Sequence, residues 1–358
     1  MQTRFDTPDT REVAAAGIRD RWSSYPSSGL TPRRLTNILR EADGGDLVRQ
    51  MELFSEMEQK DAHLFSCLQT RKLAVAGCSY DVEPGGADGG AVSLVKDALA
   101  GLDNFEEALM DLLDAVGKGF SVSEIIWEST SKGILPRSII KRQQKRFTFL
   151  CDNGVSEAPR LLTEEEPVYG VPLPFNKFMV HVYRAGADMP ERGGLLRTLA
   201  WIYLFKNYAL KDWVSFCEVF GMPLRLGVYS PSATKEDKDA LVEAVTSLGS
   251  DAAGIISEST KIEFVEAAKK GDGGPYSGLI ELLNREFSKA VLGQTLTTEV
   301  SGTGSLAAGR VHQDVFSGIV RADARALERT INRDLIRPLV MFNFGPDVSA
   351  PRLKFQLG

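Results

Sequence analysis

The sequence predicts an α+β fold, and three observations carry that prediction. Residues 31–77 read as consecutive amphipathic helices, the middle of the chain alternates β-branched and aromatic residues, and two long helical patterns follow. With 358 residues, 43% of them hydrophobic and 25% charged, the chain can bury a substantial core. The formal net charge of −6 argues against wrapping nucleic acid by phosphate neutralisation, which needs a clustered Lys/Arg excess.

Residues 1–30 are polar, carry Arg4, Arg11, Arg19 and Arg21, and lack an apolar core, so a flexible arm is expected rather than a signal peptide. Thr31-Pro32 starts a helix with Thr as N-cap; Leu35, Ile38, Leu39 and Ala42 form its stripe and Gly44-Gly45 its stop. Asp46 opens a longer second helix through Met51, Phe54, Met57, Leu64 and Leu68, expected to end near Gly77. Beyond the Pro84-Gly85-Gly86 loop, 91–102 and 105–116 read as short helices. Segments 120–127, 146–150 and 178–183 read as strands, with a turn at Asp152-Asn153-Gly154.

After Gly193-Gly194, residues 195–220 form one helix of about 39 Å with apolar side chains on nearly every face, so it must be covered on several sides. Met222-Pro223 ends it and 224–229 suggests a strand. Thr234 and Asp237 then open a helix whose apolar face is Ala240, Leu241, Ala244, Val245 and Leu248. Strand-like pieces at 254–257 and 261–266 lead to a Gly-rich link at 271–274 and a helix over 277–292. A polar Thr/Gly/Ser stretch fills 293–305, before a helical pattern over 306–342 broken near Pro338. The longest uncharged apolar run, 199–205, falls far short of the ~20 residues a bilayer requires, so no membrane span is expected.

Few residues suggest chemistry. Cys67, Cys78, Cys151 and Cys217 have no CxxC spacing, and with three histidines no zinc site is expected; the cysteines read as small side chains in a reducing compartment. Asp61 with His63, Asp111 with Asp114, and Asp237 with Asp239 are the candidate carboxylate groups for metal-assisted hydrolysis, but solvated helix charges account for all three. Ser301-Gly-Thr-Gly-Ser305 lacks the GK[ST] ending of a phosphate loop and reads as a mobile loop; no GxSxG occurs, and His181 lies inside a strand pattern. No catalytic residue, metal or cofactor is expected. The basic window 137–146, with Arg137, Lys141, Arg142, Lys145 and Arg146, is either a DNA or acidic-partner contact or a solvated β-edge. Arg321, Arg325, Arg329, Arg333 and Arg337 recur every four residues, a row that winds around a straight helix; local pairs Arg325–Glu328 and Asp334–Arg337 make a solvated or intersubunit face as reasonable as a DNA contact.

One resemblance spans roughly residues 30–345. Leu30-Thr-Pro-Arg-Arg-Leu-Thr-Asn-Ile-Leu39, Leu53-Phe-Ser-Glu-Met57, Asp61-Ala-His-Leu64, Leu68-Gln-Thr-Arg-Lys72, Ala74-Val-Ala-Gly77 and Tyr80-Asp-Val-Glu83 resemble the portal family of Mu-like phages and prophages. Gly193-Gly-Leu-Leu196, Trp201, Lys206, Trp213, Phe220-Gly-Met-Pro223 and Leu292-Gly-Gln-Thr-Leu296 continue the match.

The resemblance implies a non-enzymatic subunit of a ring, usually of twelve copies, at the unique capsid vertex. Such a ring conducts double-stranded DNA and meets the major capsid protein, terminase and neck or adaptor proteins. Its setting is the virion, and the host cytoplasm during assembly. It also implies a division into a flexible arm (1–30), an α+β wing (31–194), a first stem helix (195–222) and a small clip (223–233). A second stem helix with return strands (234–275), a tunnel helix, tunnel loop and crown-side helix (276–345) and a tail (346–358) complete it. Thr295, Thr297, Thr298, Ser301, Thr303 and Ser305 are then tunnel candidates, and Lys141, Arg142, Lys145, Arg146, Arg321 and Arg325 possible DNA or partner contacts. Trp201, Phe205, Tyr208, Trp213 and Phe216 are intersubunit candidates on the stem. The family extends well beyond the position matching Phe342 while this sequence ends at Gly358, implying a reduced crown or a shortened chain. Two other classes stay open: a metal-dependent nucleic-acid enzyme, and a head-assembly adaptor without a DNA channel.

Overall fold

The computed structural model describes residues 8–15, 25–152, 155–156, 158–183, 185, 189–220, 225–247, 253–258, 274–295 and 306–357. The chain divides into two compact units, Met1–Leu204 with Asn284–Gly358, and Phe205–Leu283.

The larger unit opens with helices. In α1 (Pro32–Asp43) Thr31 Oγ1 accepts from Arg34 N at 3.2 Å, Pro32 lies in the first turn, and Leu35, Ile38, Leu39 and Ala42 are buried. The single long second helix is corrected: α2 (Val48–Lys60) stops at Asp61, which caps α3 (Ala62–Ala76) by accepting from the N–H groups of His63 and Leu64. The apolar stripe continues across this break, so periodicity alone does not register a capping carboxylate. β1 (Tyr80–Glu83), α4 (Gly89–Ala100), α5 (Phe105–Leu112) and the single turn α6 (Ala115–Lys118) follow, so the helix expected over 105–116 ends at Leu112.

β2 (Phe120–Thr130) pairs antiparallel with β3 (Gly133–Arg142). After a 3-10 turn at Gln144–Arg146 come the short strands β4 (Phe147–Thr148), β5 (Cys151–Asp152), β6 (Val155–Ser156), β7 (Arg160–Leu161) and β8 (Val171–Pro172). β9 (Phe178–Val182) completes a sheet ordered β3-β2-β9. β3 has no full counterpart among the expected strands; its Pro136 is tolerated on this edge strand, beside the register shift at Ile126/Trp127. β2 separates two core clusters. Phe120 and Val122 pack with α1–α3, while Ile125 and Trp127, on the opposite face, pack with α4 and α5.

α7 (Leu195–Phe220) has the expected extent. In the smaller unit β10 (Arg225–Tyr229) and β11 (Ala253–Ser257) pair in parallel, with α8 (Lys235–Ser247) as the crossover. The expected cap of α8 is present: Thr234 N donates to Asp237 Oδ2 at 3.0 Å and Asp237 N to Thr234 Oγ1 at 3.2 Å. The pieces expected at 261–266 and 271–273 lie outside the described residues.

α9 (Gly274–Leu292) and α10 (Leu306–Ile331) follow, and α10 runs through a π turn at Asn332–Ile336 into α11 (Arg337–Phe344). The break expected near Pro338 does not occur. Pro338 has no N–H to donate one turn back, and the wider π turn just before it lets the helix continue. β12 (Arg352–Phe355) returns to pair antiparallel with β1.

Residues 9–14, expected within a flexible arm, are held against the larger unit. Val13 and Ala14 donate their N–H groups to Glu124, Arg146 donates to Ala14 O and Lys177 to Asp9 O, each of these last two at 2.8 Å.

Two glycines set the entry to α7. A Cβ on Gly119, at φ +93°, would stand 2.0 Å from Pro190 O, and one on Gly194 would stand 2.3 Å from Gly117 O. Two backbone segments therefore touch directly. Gly194→Ala is expected to destabilise the fold by about 3 kcal/mol, and Gly119→Ala by at least as much because of its positive φ. Urea unfolding of each variant measures this; loss below about 1 kcal/mol would show that the backbones can separate.

Candidate functional site

Arg137 at the start of the basic window is exposed, but the other basic residues of the window are partly or fully buried. Arg142 is buried and bonded to Glu124, with Nη2 at 2.7 Å from Oε2, and also to Glu12. Lys145 pairs with Glu52 at 3.0 Å, both almost fully buried, and Arg146 is buried against Ala14 O. Lys141, half-buried, lies 3.1 Å from Asp114 and 3.6 Å from Asp111. Both expectations, solvated edge and DNA contact, are corrected for Arg142, Lys145 and Arg146, which are buried: Arg142 and Lys145 serve as counter-charges for buried carboxylates and Arg146 holds a backbone carbonyl, while Lys141 stays partly exposed beside Asp114. β3 is an edge strand, but its basic end is covered.

The carboxylate pairs are likewise structural. Asp114 accepts from Lys72 (3.0 Å), Lys118 (2.8 Å) and Gln144 (2.7 Å) and lies beside Lys141. Burial pushes its carboxyl up, but the ammonium groups of Lys118, Lys141 and Lys72 outweigh this and hold it well below the usual range. Asp61 is an N-cap, His63 Nε2 lies 2.8 Å from Ser288 Oγ, and Asp237 belongs to the α8 cap. Among the described residues no group of three or more His, Cys, Asp or Glu is placed to hold a metal.

Removing the Asp114 charge takes from Lys118 its ion-pair partner among the described residues and from Lys72 and Lys141 one of two carboxylates each, the others being Glu58 and Asp111. Asp114→Asn is expected to cost about 3 kcal/mol or more in thermal or urea unfolding, and a neutral result would show that the lysines find other partners.

His181, in β9, is buried with Nδ1 2.9 Å from Thr330 Oγ1. Burial pushes the imidazole down from 6.5 to about 4, helped by the guanidinium groups of Arg333 and Arg329. Its folded-state value lies below the unfolded one, so protons bind the unfolded chain first as pH falls through 6.5. Stability should decline between pH 6.5 and about 4, by up to about 3 kcal/mol from this residue. His181→Asn should flatten that part of the pH–stability curve; an unchanged slope assigns the loss to other groups.

On α7, Trp201 is half-buried against the first core cluster and Trp213 is half-buried. Phe205 and Tyr208 are exposed at 47% and 37%, and Phe216 meets Tyr276 in a tilted ring contact with centroids 5.8 Å apart. Leu210 and Val214 are also exposed. Thr295 is half-buried, while Thr297, Thr298, Ser301, Thr303 and Ser305 lie outside the described residues.

Arg321, Arg325, Arg329, Arg333 and Arg337 are all exposed. The local pairs expected for this row do not form: Glu328 accepts from Phe355 N, while Asp334 accepts from Val180 N and pairs with Arg333. A uniform α-helix would carry the row well around its axis, but the π turn lengthens one turn, and Arg329, Arg333 and Arg337 all line one groove. This groove, of about 1340 Å³, also receives Arg352 and Lys354 from β12 and an apolar surface from Leu173, Phe178, Val180 and Met341. The arginine spacing is visible in the sequence; the arrival of β12 beside it is not, because that depends on pairing with β1 across most of the chain.

Comparison with known proteins places this geometry. The fold matches that of a chain in the neck of an empty GTA particle, with TM-score 0.53, 12% identity, and 89% of this chain and 88% of that one covered. The family profile described as the portal protein of Mu bacteriophage matches residues 51–357. The portal protein of Escherichia phage Mu is 36% identical over 97% of this chain and 68% of its own length. The Mu-like prophage FluMu protein gp29 of Haemophilus influenzae is 36% identical over 94% of this chain and 66% of its own. The α+β fold is thus that of a phage portal protein. The chain belongs to the Mu bacteriophage portal family and spans about two thirds of the length of these curated relatives.

Proposed function

We propose that copies of this chain form a ring of twelve at the unique capsid vertex, through which double-stranded DNA passes during packaging and ejection. Portal-family membership carries this reading. The exposed apolar side chains of Phe205, Leu210 and Val214 on α7 support it, since a second copy would cover surface that a free monomer leaves in water. The net charge of −6 is also consistent with a conduit, because each neutralised phosphate adds affinity that a sliding duplex must escape.

In this reading α7 is the first stem helix, the segment around β10 the clip, α8 with β11 the returning stem, and 293–305 the tunnel loop. Its Thr and Ser side chains would touch a duplex without gripping it. The subunit is non-catalytic; a terminase hydrolyses the ATP that drives packaging and docks on the ring, as do neck proteins, while the capsid protein surrounds it. Assembly takes place in the host cytoplasm and the product resides in the virion. Among the described residues no helix is long and apolar enough to cross a membrane.

Mass photometry with negative-stain microscopy tests this. Rings of about a dozen copies with a central hole are expected. A closed assembly without a hole would favour the adaptor; monomers at every concentration and salt, or Mg²⁺-dependent DNA cleavage, would overturn the proposal.

A further inference from the structure

Building on the ring reading, we propose that the groove beside the arginine row receives the acidic loop between β7 and β8 of a second copy, joining subunits by a loop-in-groove contact. The groove offers cations without a use. Arg329, Arg337 and Arg352 line it, are exposed, and make no ion pair or side-chain hydrogen bond among the described residues. The two acids that also line it, Glu328 and Asp334, are occupied by Phe355 N and by Val180 N with Arg333. The groove is therefore positive as well as partly apolar.

The loop carries the complement. Glu164, Glu165 and Glu166 are consecutive and exposed, and their carboxylates have no partner among the described residues. Val168 and Tyr169 follow at 66% and 64% exposure, so three anions stand beside a small apolar pair, as three free cations stand beside Leu173 and Met341. The loop is also held in shape. Glu166 N donates to Thr163 Oγ1 at 3.0 Å, and Arg160 clamps the carbonyls of Tyr169 and Gly170 at 2.8 and 2.9 Å. A Cβ on Gly170, at φ +60°, would stand 2.8 Å from Leu161 O, which fixes the loop close against its base. A loop already ordered loses little freedom on docking.

The two charge sets share a chain yet do not meet within it, so one copy leaves both unsatisfied. Pairing the loop of one copy with the groove of another joins two different patches, the head-to-tail contact that a closed ring requires. The apolar half of both surfaces favours a polypeptide over nucleic acid, whose backbone binding is electrostatic.

The test uses the full chain and three variants: Glu164→Lys with Glu165→Lys and Glu166→Lys; Arg329→Glu with Arg337→Glu and Arg352→Glu; and the two sets combined. Circular dichroism checks that each is folded, and mass photometry gives the concentration for half-assembly. Each reversed set should raise that concentration about tenfold or more at low salt, and the combination should restore it, because like charges then face opposite ones again. In parallel, Tyr169→Cys with Met341→Cys in a Cys217→Ser background should form disulfide-linked multimers under mild oxidation, with neither cysteine sufficient alone. Wild-type rings whose assembly ignores both reversals, and which do not cross-link, would overturn the contact while leaving the ring intact. Absence of wild-type rings would overturn both. If only the groove reversal matters, the groove takes another acidic partner and the loop assignment is wrong.

Discussion

Two carboxylates cut off from water, Asp114 and Glu124, dictate how the larger unit is assembled. An ionised carboxylate in such a place is costly unless cations and hydrogen-bond donors surround it, and no single element supplies enough of them. Asp114 therefore gathers Lys72 from α3, Lys118 from α6, Lys141 from β3 and Gln144 from the turn after it. Glu124 gathers Arg142 from β3 and the N–H groups of Val13 and Ala14, with Lys177 3.8 Å away. Beside Lys72 on the same helix, Arg71 forms a two-pronged pair with Asp323 of α10 and also donates to Val291 O at the end of α9. Neighbouring positions on α3 thus bind the helix to different parts of the unit, and directional pairs fix its placement where apolar packing alone would tolerate sliding.

This arrangement consumes the richest basic stretch of the chain. Arg142, Lys145 and Arg146 neutralise or cap groups in the interior and cannot also present a positive surface. The cations that line the groove come from the outer side of α10, the π turn and α11, joined by β12. The net charge of −6 conceals this sorting: buried charges are nearly balanced in place, while at the surface Glu164–Glu166 and the groove arginines remain apart.

The elements were readable in the sequence wherever a local signal fixed them. Thr31-Pro32, the Thr234–Asp237 box and the unbroken apolar surround of 195–220 each correspond to a helix that forms as expected. Failures came where one residue has two local meanings. Asp61 reads as a solvated helix charge or as a cap, and Pro338 as a stop or as the neighbour of a π turn. Site residues were harder still, because a run of Lys and Arg looks the same whether it faces solvent or neutralises a buried acid. Only the position of Asp114 and Glu124 in space separates the two, and contacts such as Arg142–Glu12 or the β1–β12 pairing join residues far apart in the chain.

The separation of the two charge populations has a physical consequence for the proposed ring, whose copies would fold alone and then associate. Ions screen charges in water within about 10 Å at moderate salt, but they barely reach pairs inside a fold. The Lys72–Asp114 and Arg71–Asp323 pairs therefore hold the subunit together over a wide range of ionic strength. The proposed contacts between Glu164–Glu166 and the exposed arginines would weaken as salt rises. Folding and association then respond to different variables, so a subunit can enter and leave contacts with its neighbours while its own architecture stays intact. Closing a ring without trapping misplaced copies needs that independence, since a wrongly seated subunit must be able to dissociate without first unfolding.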